Sequence, residues 1–420
     1  SRGLGFLYKR LAVGGGARVA RAGGYFAYIG ENSVKVVDNY TVDITPVRPN
    51  MRLVECLTHP LFGMVAPGSD PGKAPVCTGP FKFVSYEKGV RLVVERNPNY
   101  WGTPARLERI TFKFIPDNAT KIMALQAGEV DMITTVPKES VARLKSDKGT
   151  QILTSSPGAY TAIYFTINGK KPFDLLSDRK LRLALAVAVD RDSIINKIWE
   201  GNAEVNQTVI PPVLLGSEKT KIQGFVFEPD RAKKMLEEAG WKEGPDGIRI
   251  KDGQKLSLTL VSGFPSAEIH KPLPEVIQSQ LRDVGVNVKI VEAGDTGVYY
   301  DLLKEGKGDM WLETGSQNIP DPTFLPEMIF HSKGSYSEEY HAIFAPGGEF
   351  ERLIDEARST PDPAEAVRLT AEAMHVLIDD DVAVMPIAAN YNIFAFKEKV
   401  KGIEPHPSRL NTSWTGIFIK

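Results

Sequence analysis

Two cysteines in 420 residues, Cys56 and Cys77, are too few for a disulfide scaffold. They are not spaced as Cys-x-x-Cys, which argues against redox catalysis. A single bridge between them and a pair of buried thiols both remain open; a bridge closing that loop of about 20 residues would contribute roughly 3 kcal/mol on the entropic account. The six histidines are His59, His270, His331, His341, His375 and His406. None belongs to His-Glu-x-x-His, and His331 and His341, with Glu338 and Glu339 between them, match no standard ligand spacing. That stretch reads as a polar surface loop. Gly-x-Ser-x-Gly and the Walker loop are both absent. Gly14-Gly15-Gly16 follows a basic segment instead of a buried strand and lacks the third glycine of a dinucleotide loop. Neither charge sign is in excess: 51 Lys and Arg oppose 52 Asp and Glu, for a net charge of −1. Nothing in that balance advertises nucleic acid or an anionic membrane. No apolar run approaches the roughly 18 residues that span a bilayer. No cofactor and no metal is expected.

The composition is otherwise that of a globular protein, 42% hydrophobic and 25% charged. At about 150 residues per domain, two or three units are expected. The opening Ser1-Arg2-Gly3-Leu4-Gly5-Phe6-Leu7-Tyr8-Lys9-Arg10 has no long apolar stretch ahead of its charges, so it does not read as a secretory signal. Beginning on Ser, the chain reads as a processed or truncated product.

Short strand patterns dominate the first part: Ser33–Val37 and Thr41–Thr45 around a turn, Leu61–Val65, Val90–Glu95 and Ile110–Ile115. Asp117 opens a helix over Thr120–Ala127 that Gly128 closes. Near Gly158 the pattern changes. Strands at Thr161–Ile167, Leu256–Val261, Val286–Val291 and Asp309–Leu312 alternate with helices at Asp178–Ala188, Ser193–Glu200, Asp230–Ala239, Leu273–Val284 and Val298–Lys304. This βα alternation predicts largely parallel sheets. Helices at Phe350–Arg358 and Asp362–Asp381 precede a long apolar strand region, Val382–Phe396, interrupted at Pro386. His375 falls on an amphipathic helix, and Asp379-Asp380-Asp381 reads as a solvated charged turn, since acids at a helix C-terminus oppose its dipole.

Five runs resemble one family. They are Pro75-Val76-Cys77-Thr78-Gly79-Pro80-Phe81-Lys82-Phe83; Val93-Val94-Glu95-Arg96-Asn97-Pro98-Asn99-Tyr100-Trp101-Gly102; Ile115-Pro116-Asp117 followed by Ala124-Leu125-Gln126-Ala127-Gly128-Glu129-Val130-Asp131; Arg182-Leu183-Ala184-Leu185-Ala186-Val187-Ala188-Val189-Asp190-Arg191; and Asp230-Arg231-Ala232-Lys233-Lys234-Met235-Leu236-Glu237-Glu238-Ala239-Gly240-Trp241. In order and spacing they are similar to family 5 solute-binding proteins of bacterial ABC importers, the dipeptide, oligopeptide and nickel-binding group. The resemblance covers about residues 25–420. The chain departs from that pattern in lacking the family's opening stretch and in carrying Cys77 where glycine is usual. Asn318 stands where peptide-binding members place an Asp ahead of Asp321-Pro322.

The resemblance implies an α/β, two-lobed, type II periplasmic-binding-protein-like fold with mixed sheets and an inter-lobe cleft. Lobe one would be residues 1–158 plus 390–420, N-terminally incomplete, and lobe two 159–389. The implied function is hinge-coupled binding of a peptide or amino-acid-like solute outside the cytoplasm, in the periplasm or at the cell exterior. The solute would pass unchanged to ABC permease subunits, with no enzyme chemistry. The protein would be a monomer that does not bind nucleic acid. The implied ligand contacts are Asn390 and Tyr391 at the second crossing, Ser316, Gln317 and Asn318 at a strand end, Arg409 and Asn411 for a carboxylate, Trp414 for stacking, and His59. Rival readings are a two-domain hydrolase or transferase, a metal-chelate binder such as a nickel-binding member, and a chemoreceptor partner.

Overall fold

The computed structural model describes residues 28–420 apart from 31, 39, 60–62, 67, 71, 264–271, 341–342, 345–346 and 409–411. The Gly-rich opening, His270, His341, part of the 61–65 strand expectation, Arg409 and Asn411 therefore lie outside the described residues. The chain divides into two compact units. One runs to Gly158 and resumes with Tyr391–Lys420; the other is Ala159–Asn390.

In the first unit, β1 (Val34–Val36) and β2 (Val42–Ile44) form an antiparallel hairpin. A three-stranded antiparallel sheet follows: β3 (Phe81–Glu87), β4 (Arg91–Arg96) and β5 (Arg109–Lys113), in that spatial order. Helix Asn118–Ala127 starts where Asp117 accepts a bond from the Thr120 N–H at 2.7 Å, leaving one fewer orphan donor at the helix start. It ends at Gly128, whose φ of +77° is the left-handed cap that a side chain would penalise. Strands β6 (Met132–Ile133) and β7 (Thr150–Thr154) lead to the crossing.

The second unit opens with β8 (Ala159–Phe165), followed by β9 (Ala203–Val205). A small antiparallel set is built from β10 (Lys242–Glu243), β11 (Arg249–Lys251) and β12 (Gln254–Lys255). Then come β13 (Ser257–Ser262), β14 (Asn287–Glu292), β15 (Met310–Ser316) and β16 (Val384–Asn390). The main sheet has the order β14-β13-β15-β8-β16-β9. Back in the first unit, β17 (Ile393–Lys397) enters between β6 and β7, and β18 (Val400–Lys401) pairs with β19 (Phe418–Ile419).

The expectation of largely parallel sheets needs correction. Among the described residues only β13–β14 and β13–β15 run parallel; helix Pro272–Arg282 connects β13 to β14, and helix Thr296–Lys304 then carries the chain from β14 across to β15 on the other side of β13. β15 and β16 both pair antiparallel with β8, and β9 pairs antiparallel with β16 at the sheet edge; β8 enters from one crossing and β16 leaves through the other, in opposite directions. The sheet is mixed. Pro386 sits within β16 at a bulge between Pro386 and Ala388, where a missing N–H costs the ladder little.

The core of the second unit includes the fully buried Ile163, Tyr164, Phe165, Leu312 and Trp311. Buried arginines there bind carbonyls. Arg191 donates to the carbonyls of Asn206, Pro386 and Phe225, and burial pulls its pKa down to about 10. Arg182 donates to the Leu176, Asp381 and Val382 carbonyls and ties the last turn before β16 to helix Arg179–Val187. In the first unit, Ile122, Leu125, Ile133, Val136, Val141, Leu144, Ile393 and Ala395 form one cluster. Neither cysteine is bridged: Cys56 is buried and Cys77 is exposed. His331 is likewise no surface group. It is fully buried, with Nδ1 accepting from the Lys333 N–H at 2.9 Å and Nε2 3.2 Å from Asp355. Asp379 is partly buried and accepts the N–H groups of Gln223 and Gly224, so the acidic turn is partly structural.

Gly158, the last residue before the first crossing, packs against the Pro407 backbone. A methyl group there would land on the Pro407 carbonyl, which already accepts the Asn392 amide. Gly158→Ala should therefore lower stability by about 1–3 kcal/mol through overpacking. Urea unfolding checks this, and an unchanged midpoint contradicts it.

Candidate functional site

Three strand ends meet in the second unit. Ala159, the first residue of β8, lies opposite Ser316 at the end of β15 and opposite Asn390 at the end of β16. Two residues 74 positions apart in sequence, both expected at a site, are thus placed one on either side of the same residue. Two positions further along β8, Thr161 accepts the Asn390 Nδ2–H at 3.0 Å and lies 3.4 Å, hydroxyl to hydroxyl, from Thr314. Asn390 is only 8% exposed, and its Oδ1 has no hydrogen-bond donor among the described residues.

Beyond Ser316, which is exposed, the chain turns inward. Gln317 is buried, and its Nε2 donates to the carbonyls of Ile319 and Asp321. Its Oε1 also lacks a donor among the described residues. Asn318 is half-buried. The turn is anchored by Asp321, whose Oδ1 accepts from the Thr323 N–H and hydroxyl at 2.9 and 2.7 Å. Arg358 donates to the Thr323 hydroxyl at 2.7 Å and places its Nη1 3.5 Å from Asp321 Oδ2. All three side chains are fully buried. Two buried amide oxygens therefore sit at the ends of the two strands that flank β8, each needing a donor. In water they would have one, so burying them costs free energy unless a hydrogen-bond donor arrives.

The opposite face of β15 carries a buried acid. Glu313 accepts the hydroxyls of Tyr299 and Tyr340, both at 2.8 Å. Burial raises its pKa to about 7, against the lowering effect of those two hydrogen bonds. Tyr160 and Tyr164 share a 2.6 Å hydroxyl contact nearby, and the Tyr160 ring fills the space above Gly315. The sequence hints at this group: Glu313 is the one charged residue inside an otherwise apolar strand start, Met310-Trp311-Leu312. Thr161 and Thr314 had no comparable signal, because alternating threonines are common in strands.

The remaining expected contacts lie in the first unit. Tyr391 is partly buried and packs on the Ile122–Leu125 cluster. Trp414 packs on Phe396, Val400 and Ile417 and meets Phe112 edge-on at 5.0 Å between ring centroids. His59 is buried, and that burial pulls its pKa down to about 4, so the ring is neutral at ordinary pH. Among the described residues no group of three or more His, Cys, Asp and Glu side chains is arranged to hold a metal ion.

The model of the bacterial extracellular solute-binding proteins, family 5 Middle, matches residues 11–337. The dipeptide-binding protein of Escherichia coli is 29% identical over 395 residues, covering 90% of this chain and 69% of that protein. The oligopeptide-binding protein AppA of Bacillus subtilis is 28% identical over 343 residues, covering 80% of this chain; this chain spans only 61% of AppA. The glutathione-binding protein GsiB of Salmonella typhimurium is 28% identical, covering 84% and 68%. Among solved structures, Helicobacter pylori DppA in complex with the peptide STSA superposes with a TM-score of 0.78 at 22% identity, covering all of this chain and 80% of that one. Brucella suis NikA with Fe(III)-EDTA gives 0.78 at 23% identity, covering 92% and 78%. These neighbours are two-lobed periplasmic binding proteins, and the likeness fixes the fold class as type II.

The buried acid generates a pH prediction. A carboxyl raised from its ordinary value of 4.5 to about 7 holds its proton longer in the folded chain than in the unfolded one. Its stabilising contribution is full below about pH 4.5 and is lost as pH rises through 7. Glu313→Gln keeps a hydrogen-bond acceptor and removes the titration. Between about pH 5 and pH 8 the variant should lose less stability than the parent, by on the order of 2–3 kcal/mol. Parallel pH dependences in denaturant unfolding would exclude the effect.

Proposed function

The chain belongs to the family 5 bacterial extracellular solute-binding proteins, and from that premise we propose that it serves an ABC importer as its solute receptor outside the cytoplasm. The observation that carries this reading is the pair of buried amide oxygens, Asn390 Oδ1 and Gln317 Oε1, at the ends of the two strands that flank β8 in the second unit. Both are acceptors, so the complementary solute presents hydrogen-bond donors, and we take these as N–H groups because relatives of the chain are named for peptides. An ammonium group or a peptide amide has that chemistry, which favours a peptide or an amino-acid derivative over a bare anion. Asn318, half-buried on the same turn, adds an amide where a carboxylate would select more strictly for a cation. The names of the relatives, dipeptide-, oligopeptide- and glutathione-binding, run in the same chemical direction.

In this proposal the protein does no covalent chemistry. A solute shifts a conformational equilibrium only to the extent that it binds one state more tightly than the other. Ser316, Gln317, Asn318 and Asn390 supply the contacts of the second unit. Tyr391, Trp414, His59, Arg409 and Asn411 are the first-unit partners implied by the family resemblance. The delivered solute passes to permease subunits in the membrane. No helix among the described residues is long and apolar enough to cross a membrane. The receptor acts as a monomer without nucleic acid.

A panel of dipeptides, tripeptides and modified amino acids, titrated by calorimetry, tests the reading. At least one should bind, and Asn390→Ala should weaken it about ten- to a hundredfold, the cost of losing a bond to a charged donor. Tight binding that is indifferent to Asn390 would place the solute elsewhere.

A further inference from the structure

The two ends of a side-chain amide are alike in size and opposite in kind: the oxygen accepts hydrogen bonds and the NH2 group donates them. Which end is left unpaired therefore decides what a site selects. The two buried amides of the second unit reach their orientation differently. Gln317 Nε2 donates to the carbonyls of Ile319 and Asp321. A carbonyl cannot donate, so the reversed amide would set oxygen against oxygen, and Oε1 is left as the acceptor by chemistry alone. Asn390 has no such constraint. Its Nδ2 lies 3.0 Å from the Thr161 hydroxyl, and a hydroxyl both donates and accepts. The reversed amide, with Oδ1 taking the Thr161 proton, is chemically allowed. It would present an NH2 group and select for acceptors.

The orientation depends on where the Thr161 proton goes. Thr161 is fully buried in β8, opposite Thr314 on β15 and Ala388 on β16. Strands on both sides fix its backbone, and branching at Cβ restricts its χ1 rotation. Its hydroxyl meets two polar side chains, the Asn390 amide at 3.0 Å and the Thr314 hydroxyl at 3.4 Å. One proton and two lone pairs serve both when the proton points to Thr314 and a lone pair receives the Nδ2–H. The bonds then run in one direction, from Asn390 to Thr161 to Thr314, and Asn390 Oδ1 is left as an acceptor. Tyr160 and Tyr164, the other hydroxyl-bearing residues of β8, lie on its opposite face and bond each other at 2.6 Å.

We propose that Thr161 is the positioning residue that sets the polarity of the site at Asn390. It holds the amide by Nδ2, so that a solute N–H is taken at Oδ1 and a group with lone pairs alone, such as an ester or ether oxygen, is rejected there. A second acceptor placed against Oδ1 leaves two buried oxygens without a proton between them, which costs more than a missing contact. This inference deepens the solute reading and rests on it. Gln317 needs no such partner, so selectivity at the two amides is separable.

Two measurements on the whole chain test it, the first without solute. With the asparagines labelled by nitrogen-15, the Asn390 side-chain signal is identified by its absence in Asn390→Ala. Its exchange with water should be at least about tenfold slower than that of an exposed asparagine, should quicken about tenfold in Thr161→Val, and should stay slow in Thr161→Ser. The Asn392 amide, which donates to the Pro407 carbonyl, should keep its rate in both variants and reports an intact fold. Fast exchange at Asn390 in the parent, or equal rates in the parent and Thr161→Val, would overturn the proposal. In the second measurement, calorimetry compares L-alanyl-L-alanine with its N,N,N-trimethyl derivative and with the ester analogue L-alanyl-L-lactate, which remove the ammonium donors and the amide donor respectively. At least one analogue should bind the parent about tenfold more weakly than the dipeptide. Thr161→Val should shrink that penalty by about threefold or more, and Thr161→Ser should keep it. A penalty that is equal in the parent and Thr161→Val would overturn the proposal. Failure of all three probes to bind the parent counts against the solute reading instead, and the exchange rates then decide the role of Thr161.

Discussion

Everything in this molecule is organised around two chain passages that run side by side. Thr154 pairs with Ile393, the Ser155 N–H bonds the Asn392 carbonyl at 2.9 Å, and Ala159 pairs with Asn390. The chain leaves the first unit and returns to it through neighbouring, oppositely directed segments. That geometry dictates strand direction in the main sheet: β8 and β16 must be antiparallel, so the βα units that follow can be parallel only on the far side, at β13, β14 and β15. It also sets the position of the polar cluster, because the ends of β15 and β16 are brought to Ala159 by the same register.

The packing around this point is unforgiving. Gly158 has no room for a side chain, and the turn beyond Ser316 is held by Asp321, Thr323 and Arg358 in full burial. A buried ion pair of this kind contributes little net stability against an apolar alternative, but removing one partner strands the other. Its consequence here is a turn with one geometry, so in the proposed solute site Gln317 and Asn318 would be presented without a large ordering cost. The Glu313–tyrosine group on the opposite face of β15 fixes the strand from behind.

Much of the fold was legible in the sequence. The Asp117 cap, the Gly128 terminator and the β1–β2 hairpin follow local rules, and the change of pattern at Gly158 is visible as a change of periodicity. Strand direction was not legible. Alternation of strands and helices says how neighbours in sequence connect, whereas β8 and β16 are more than 200 residues apart and their pairing is a long-range fact. The site was half legible. Asn390 and the Ser316–Asn318 turn stand out as polar residues ending apolar strands. Thr161 does not, because its role exists only through its cross-strand neighbours. His331 was misjudged for a related reason: its sequence neighbours are polar, but the helix Gly348–Ser359 that covers it lies further along the chain.

In the proposed role a solute bearing N–H donors is held and then released unaltered. Native mass spectrometry of the protein isolated from its own source measures this directly. The expected result is a retained small molecule carrying an amine or amide, recovered at the same mass when the protein is denatured and when the same compound is added back and released. A retained compound with no N–H donor, or one whose mass changes on incubation with the protein, would contradict it.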